Sequence, residues 1–147
     1  MSVQPTSRVL SNDELNKRIN LIDTTTIDPF YRAGFGYELA LHYSEKDDNK
    51  NAFKYLIKIH NLKYKNNQLK TGVFDLLGQI FYLKNDDSRG EICFKRAKKY
   101  AARTLDYDFI EQCVKKQLTF LEQLKKYQNR KLPKRMEEKK FIKILPR

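Results

Sequence analysis

A pattern of small and large residues occurs twice, 38 residues apart, and it limits the folds open to the chain more than any other feature. Leu77-Gly78 lines up with Leu39-Ala40, and Phe81 with Tyr43. Gly90 then lines up with Ala52, Phe94 with Leu56, and Ala97 with Ile59. The intervals suit two consecutive helices joined by a turn. Small residues mark where helix backbones come close, and large ones fill the space between. Such a unit cannot bury its apolar face alone, so it stacks on a neighbour or is covered by a further helix.

Start and stop signals extend the helical reading to the rest of the chain. Ser11 and Glu14 form a capping box that opens a short helix over 12–22, with Leu15, Ile19 and Ile22 on one face. "DTTTIDPF" interrupts it, because β-branched residues and residues before proline avoid the helical region. Asp28-Pro29 restarts a helix carrying "FYRAGFGYELALHYSEK". Gly34 and Gly36 inside it each cost about 1 kcal/mol relative to alanine, which points to close helix approach. "KNAFKYLIKIHNLKY" and "LKTGVFDLLGQIFYLK" follow as the third and fourth helices. Ser88 and Glu91 read as a second capping box, opening "RGEICFKRAKKYAAR". A last helix runs from about 108 to 127, with Ile110, Val114, Leu118, Leu121 and Leu124 as its apolar stripe. Strand-like alternation and hairpin turns nowhere occur together. The expectation is an all-α chain of six helices, antiparallel neighbours throughout. Residues 1–10 read as a flexible lead-in, 11–127 as a single α-helical domain and 128–147 as a basic tail.

The stretch "FDLLGQIFYLKNDDSRGEICFKRA" resembles a tetratricopeptide repeat. That pattern has an aromatic, Leu-Gly and an aromatic in its first helix, then a small residue, an aromatic and Ala in its second. Phe74, Leu77, Gly78, Phe81, Gly90, Phe94 and Ala97 match it one for one. Residues 33–66 match less closely: Gly36 stands where a bulky residue is usual, and Ile59 replaces Ala. The spacing of 38 exceeds the family's period of about 34, which places extra residues near "KYKNNQLK". The proline that usually follows the second helix is missing from both units. The resemblance implies about two helix-hairpin repeats over 33–104, capped at both ends by the helices at 12–22 and 108–127.

Charge and cysteine content bound the setting. The formal net charge is +12 and the isoelectric point about 9.7, a balance that favours acidic partners. Cys93 and Cys113 lack metal-ligand spacing and make no disulfide framework, so a reduced compartment fits. The opening "MSVQPTSRVL" has no apolar run of the kind a signal peptide needs. No stretch approaches the ~20 apolar residues that span a bilayer. The expectation is a cytoplasmic protein without cofactor or metal.

Enzyme chemistry finds little support. His42 and His60 are the only imidazoles, and neither neighbours a nucleophile motif. The acidic turns "KDDN" and "NDDS" read as helix caps. The resemblance instead implies a non-enzymatic protein–protein interaction module: an adaptor, assembly factor or small chaperone. Its concave groove would hold a peptide or helix of a partner against Tyr37, Leu41 and Ser44, and against Asp75, Gln79 and Tyr82. The basic tail would add a second contact through Lys125, Lys126, Arg130, Lys131, Lys134, Arg135, Lys139, Lys140 and Lys143. The alternative is a nucleic-acid-associated protein that uses this tail on phosphates. Acidic lipid is a further anionic target for the tail. An uncapped repeat end would allow a homodimer.

Overall fold

The computed structural model describes residues 9–128, with side chains described through Lys126. The described residues form six α-helices and no strand: α1 (Asn12–Ile22), α2 (Pro29–Glu45), α3 (Asn49–His60), α4 (Asn67–Leu83), α5 (Asp87–Arg103) and α6 (Tyr107–Gln128). They group into two compact units that divide between Asn66 and Asn67.

In the first unit, α2 packs against both α1 and α3. The capping box at α1 is formed: the Glu14 amide donates to Ser11 Oγ at 3.2 Å, and the Ser11 amide donates to Glu14 Oε1 at 3.0 Å. Asp28 caps α2 by accepting from the Phe30 amide at 2.8 Å, with Pro29 at the first helical position. Arg32 Nε donates to the Ile22 carbonyl at 2.7 Å and so satisfies the end of α1. The core collects Ile22, Ala33, Leu39, Ala40, Ala52, Tyr55, Leu56 and Ile59. Buried His42 belongs to this packing; its Nδ1 accepts from the Leu10 amide at 2.7 Å and ties down the end of the lead-in.

The third helix is shorter than its apolar pattern predicts. It stops at His60, and the Leu62 amide donates to the Ile59 carbonyl at 3.1 Å to close the last turn tightly. Residues 61–66 therefore form the connection to α4.

In the second unit, α4 packs against α5, and α6 lies against both. The core of this unit includes Val73, Phe74, Leu76, Leu77, Ile80, Tyr82, Phe94 and Ala97, with Ile110, Val114, Leu121 and Leu124 from α6. The expected stripe of α6 therefore faces inward, while Glu111, Lys115, Lys116, Glu122, Lys125 and Lys126 are exposed. One expected cap is corrected. Asp86, not Ser88, begins α5: its carboxylate accepts from the Arg89 amide at 3.2 Å and from the Arg89 guanidinium at 2.8 Å. Glu91 turns inward and is buried, so it cannot reach back to a cap.

The helix pairs α2–α3 and α4–α5 share several local features, although α3 is 12 residues long and α5 is 17. α2 and α4 are both 17 residues long, and α3 and α5 begin at corresponding positions, Asn49 and Asp87. Asp47 and Asn85 hold the left-handed turn conformation, with φ of 57° and 64°. The residues after them, Asp48 and Asp86, each donate from the amide to the Tyr43 or Phe81 carbonyl. Their carboxylates then accept from the Asn51 and Arg89 amides.

The core compensates where the residues differ. A Cβ on Gly36 would come within 2.2 Å of Ile59 Cγ2. The corresponding pair in the second unit is Phe74 and Ala97, so large and small residues have exchanged places. Likewise, Ala40, Ala52 and Leu56 of the first unit correspond to Gly78, Gly90 and Phe94 of the second.

Candidate functional site

On each hairpin, the expected groove residues form one stripe of the first helix at spacings of four and three residues. In the first unit, Tyr37, Leu41 and Ser44 lie on α2, and each is half-buried. They are reachable without unfolding the helix pair.

The second unit treats its stripe differently, because α6 covers much of it. Tyr82 is fully enclosed. Its ring lies 5.2 Å from that of Phe94 and 6.1 Å from that of Phe120 on α6. Gly90 leaves room for it, since a Cβ there would come within 2.6 Å of the ring. The expectation that Tyr82 contacts a partner is therefore corrected: a ring shut inside three helices has no face to offer. Asp75 is half-buried, and its carboxylate is engaged within the unit. Its carboxylate points into the α4–α5–α6 junction, where it accepts from Gln117 Nε2 at 2.6 Å. Gln79 is half-buried and is the remaining candidate on α4.

That junction is the most polar part of the interior. The Gln117 amide also donates to the Phe94 carbonyl at 3.1 Å, so one side chain links α6 to α4 and α5. Cys113 Sγ lies 3.7 Å from Asp75 Oδ2. Glu91, Lys98 and Gln117 are each 2% exposed. Burial pushes the Asp75 carboxyl up to about 7, against the hydrogen bonds from Gln117 and Cys113 and the charges of Lys116 and Lys98. Burial likewise brings the Lys98 ammonium down to about 7, assisted by Lys95 and opposed by Cys113, Asp75 and Glu91.

The chemistry open to these groups is narrow. Burial raises the thiols of Cys113 and Cys93, the latter to about 11, which keeps both as un-ionised thiols at neutral pH. His42 is held in the other unit by the Leu10 amide. Among the described residues, no group of three or more His, Cys, Asp or Glu side chains could hold a metal ion. No described helix is long and apolar enough to cross a membrane.

Of the expected basic tail, Lys125 and Lys126 are exposed near the end of α6. Arg130, Lys131, Lys134, Arg135, Lys139, Lys140 and Lys143 lie outside the described residues. Searches against family models, curated proteins and solved structures found no match to this chain.

Proposed function

We propose that the chain is a non-enzymatic protein–protein interaction module built from two tetratricopeptide-like hairpins, acting as an adaptor, assembly factor or small chaperone. The observation that carries this reading is the doubled hairpin. Helix starts, the left-handed turn residue and the aspartate cap all recur at one spacing, and size exchanges in the core compensate one another. A scaffold repeated so closely presents equivalent first-helix stripes. The stripe that remains accessible is Tyr37, Leu41 and Ser44 on α2. It mixes apolar and hydrogen-bonding groups, which suits a peptide or helix of a partner protein. Two unpaired, buried cysteines suit a reducing cytoplasmic setting.

The net charge of +12 favours one competing reading, attachment to nucleic acid through the basic tail. Capture from native cell extract separates the two, using the full chain and a chain ending at Tyr127, each with and without nuclease. The interaction reading expects one protein retained by both chains and resistant to nuclease. Retention that requires the tail and vanishes with nuclease would instead establish the nucleic-acid reading.

A further inference from the structure

We propose that the outer face of the C-terminal half of α5 is a docking surface for an acidic peptide segment, one carrying carboxylates along one side of a helix. Lys95, Arg96, Lys99 and Arg103 are all exposed, while Lys98 between them is turned inside. The sequence holds no acidic residue from Ile92 to Leu105. Lys95, Lys99 and Arg103 follow one another at four-residue steps, and Arg96 stands three before Lys99 and seven before Arg103, so the four line one face of the helix. Like charges at these spacings destabilise a helix. Among the described residues, ion pairs with carboxylates are formed by Arg18, Lys58, Arg89 and Lys115, and not by any of these four. The corresponding face of α3 carries no such row. It has Ile57, Lys58 and Asn61, and Lys58 is paired with Asp23 at 2.8 Å. Lys99 and Arg103 lie in the five residues by which α5 runs further than α3, 17 against 12.

The two guanidinium groups of the row are also held in place. Phe74 and Tyr100 stack at 5.5 Å with their planes 13° apart. The Arg96 guanidinium sits 5.9 Å from the Phe74 ring, and Arg103 sits 5.2 Å from Tyr100, which also receives the Lys70 ammonium at 5.1 Å. Guanidinium groups fixed on rings lose less freedom when they bind carboxylates. The same packing argues against single-stranded nucleic acid. Proteins of that class stack bases on aromatic rings, and here the rings already carry each other and the cations. Carboxylates spaced by one helical turn match the spacing of cations on α5, and complementary charge gives the orientation. This surface lies on the second unit and does not rest on the repeat reading.

The test uses the full chain and fluorescence anisotropy with two labelled probes: a helical peptide of Glu-Ala-Ala-Ala repeats, and oligothymidylate. Lys99→Glu combined with Arg103→Glu is expected to weaken peptide binding by about tenfold or more. The control, Lys46→Glu combined with Lys50→Glu, makes the same charge change at the exposed α2–α3 turn and is expected to cost about twofold or less. Circular dichroism checks the fold. If the reversals unfold the chain, Lys99→Gln with Arg103→Gln replaces them, with an expected loss of about threefold. The proposal is overturned if the wild-type chain does not bind the peptide, or if both pairs of substitutions weaken it equally. A larger loss for oligothymidylate than for peptide would also overturn it.

Discussion

Alanine at Gly78 probes the tightest helix contact in the second unit. A Cβ there would lie 2.3 Å from Phe94 Cδ1, 2.6 Å from Cε1 and 3.2 Å from the Gly90 carbonyl oxygen. The Phe94 ring cannot swing away, because Tyr82 and Phe120 hold it at 5.2 and 5.9 Å. Overpacking of this kind costs about 3 kcal/mol at the upper end, and the helix propensity gained from Gly to Ala returns about 1. The expected net loss is about 2 kcal/mol, a fall in melting temperature of about 10 °C for a unit this size. Gly34 supplies the control, since nothing lies within 4 Å of a Cβ there. Gly34→Ala should stabilise by about 0.5–1 kcal/mol. The first unit suggests the rescue: it uses Ala40 with Leu56 where the second uses Gly78 with Phe94. Phe94→Leu alone leaves a gap and should cost about 1–2 kcal/mol. Combined with Gly78→Ala, it should cost less than the sum of the two by at least about 1 kcal/mol. Urea unfolding followed by circular dichroism measures all four variants. Strict additivity of Gly78→Ala and Phe94→Leu would refute the claim that the two hairpins solve one packing problem with exchanged sizes.

Three further outcomes follow from the geometry. Leu105 holds φ of 56° while 73% exposed, a conformation that Asn85 and Asp47 occupy in the other turns; Leu105→Asn should raise the urea midpoint, by about 1 kcal/mol in stability. Asp75 titrates near 7 when folded against an ordinary 3.8, so the stability it contributes is fully present below pH 4 and is lost as pH rises through 7. Asp75→Asn keeps an acceptor for Gln117, so the stability difference from wild type should change between pH 4 and 7 and stay level above about 8; no change across that window would contradict the burial of this carboxyl. Tyr82→Ala should cost about 3–5 kcal/mol by thermal denaturation, as expected for a ring inside the core.

The helices were legible because each carries a strong local signal, such as the Ser11–Glu14 box or Asp28-Pro29. Legibility failed where a competing local partner decided the outcome. Ser88 with Glu91 satisfies a capping pattern as well as Ser11 with Glu14 does, but Asp86 precedes it and captures the Arg89 amide first. The enclosure of Tyr82 depends on α6, some 40 residues on, and helix periodicity cannot say which face a distant helix will cover. One missed residue did leave a trace. Gln117 falls in the apolar row of α6 between Val114 and Leu121, and a polar residue in that row marks an interior hydrogen-bonding position.

Site-specific photo-crosslinking tests the interaction account most directly. A photoreactive phenylalanine analogue replaces Leu41 on the α2 stripe or, as control, the exposed Ile57 on α3. Both chains are irradiated in native extract after nuclease treatment. The account predicts a discrete protein adduct at position 41 and none at position 57. Adducts of equal yield at both positions, or none at 41, would contradict the assignment of this stripe as the binding face.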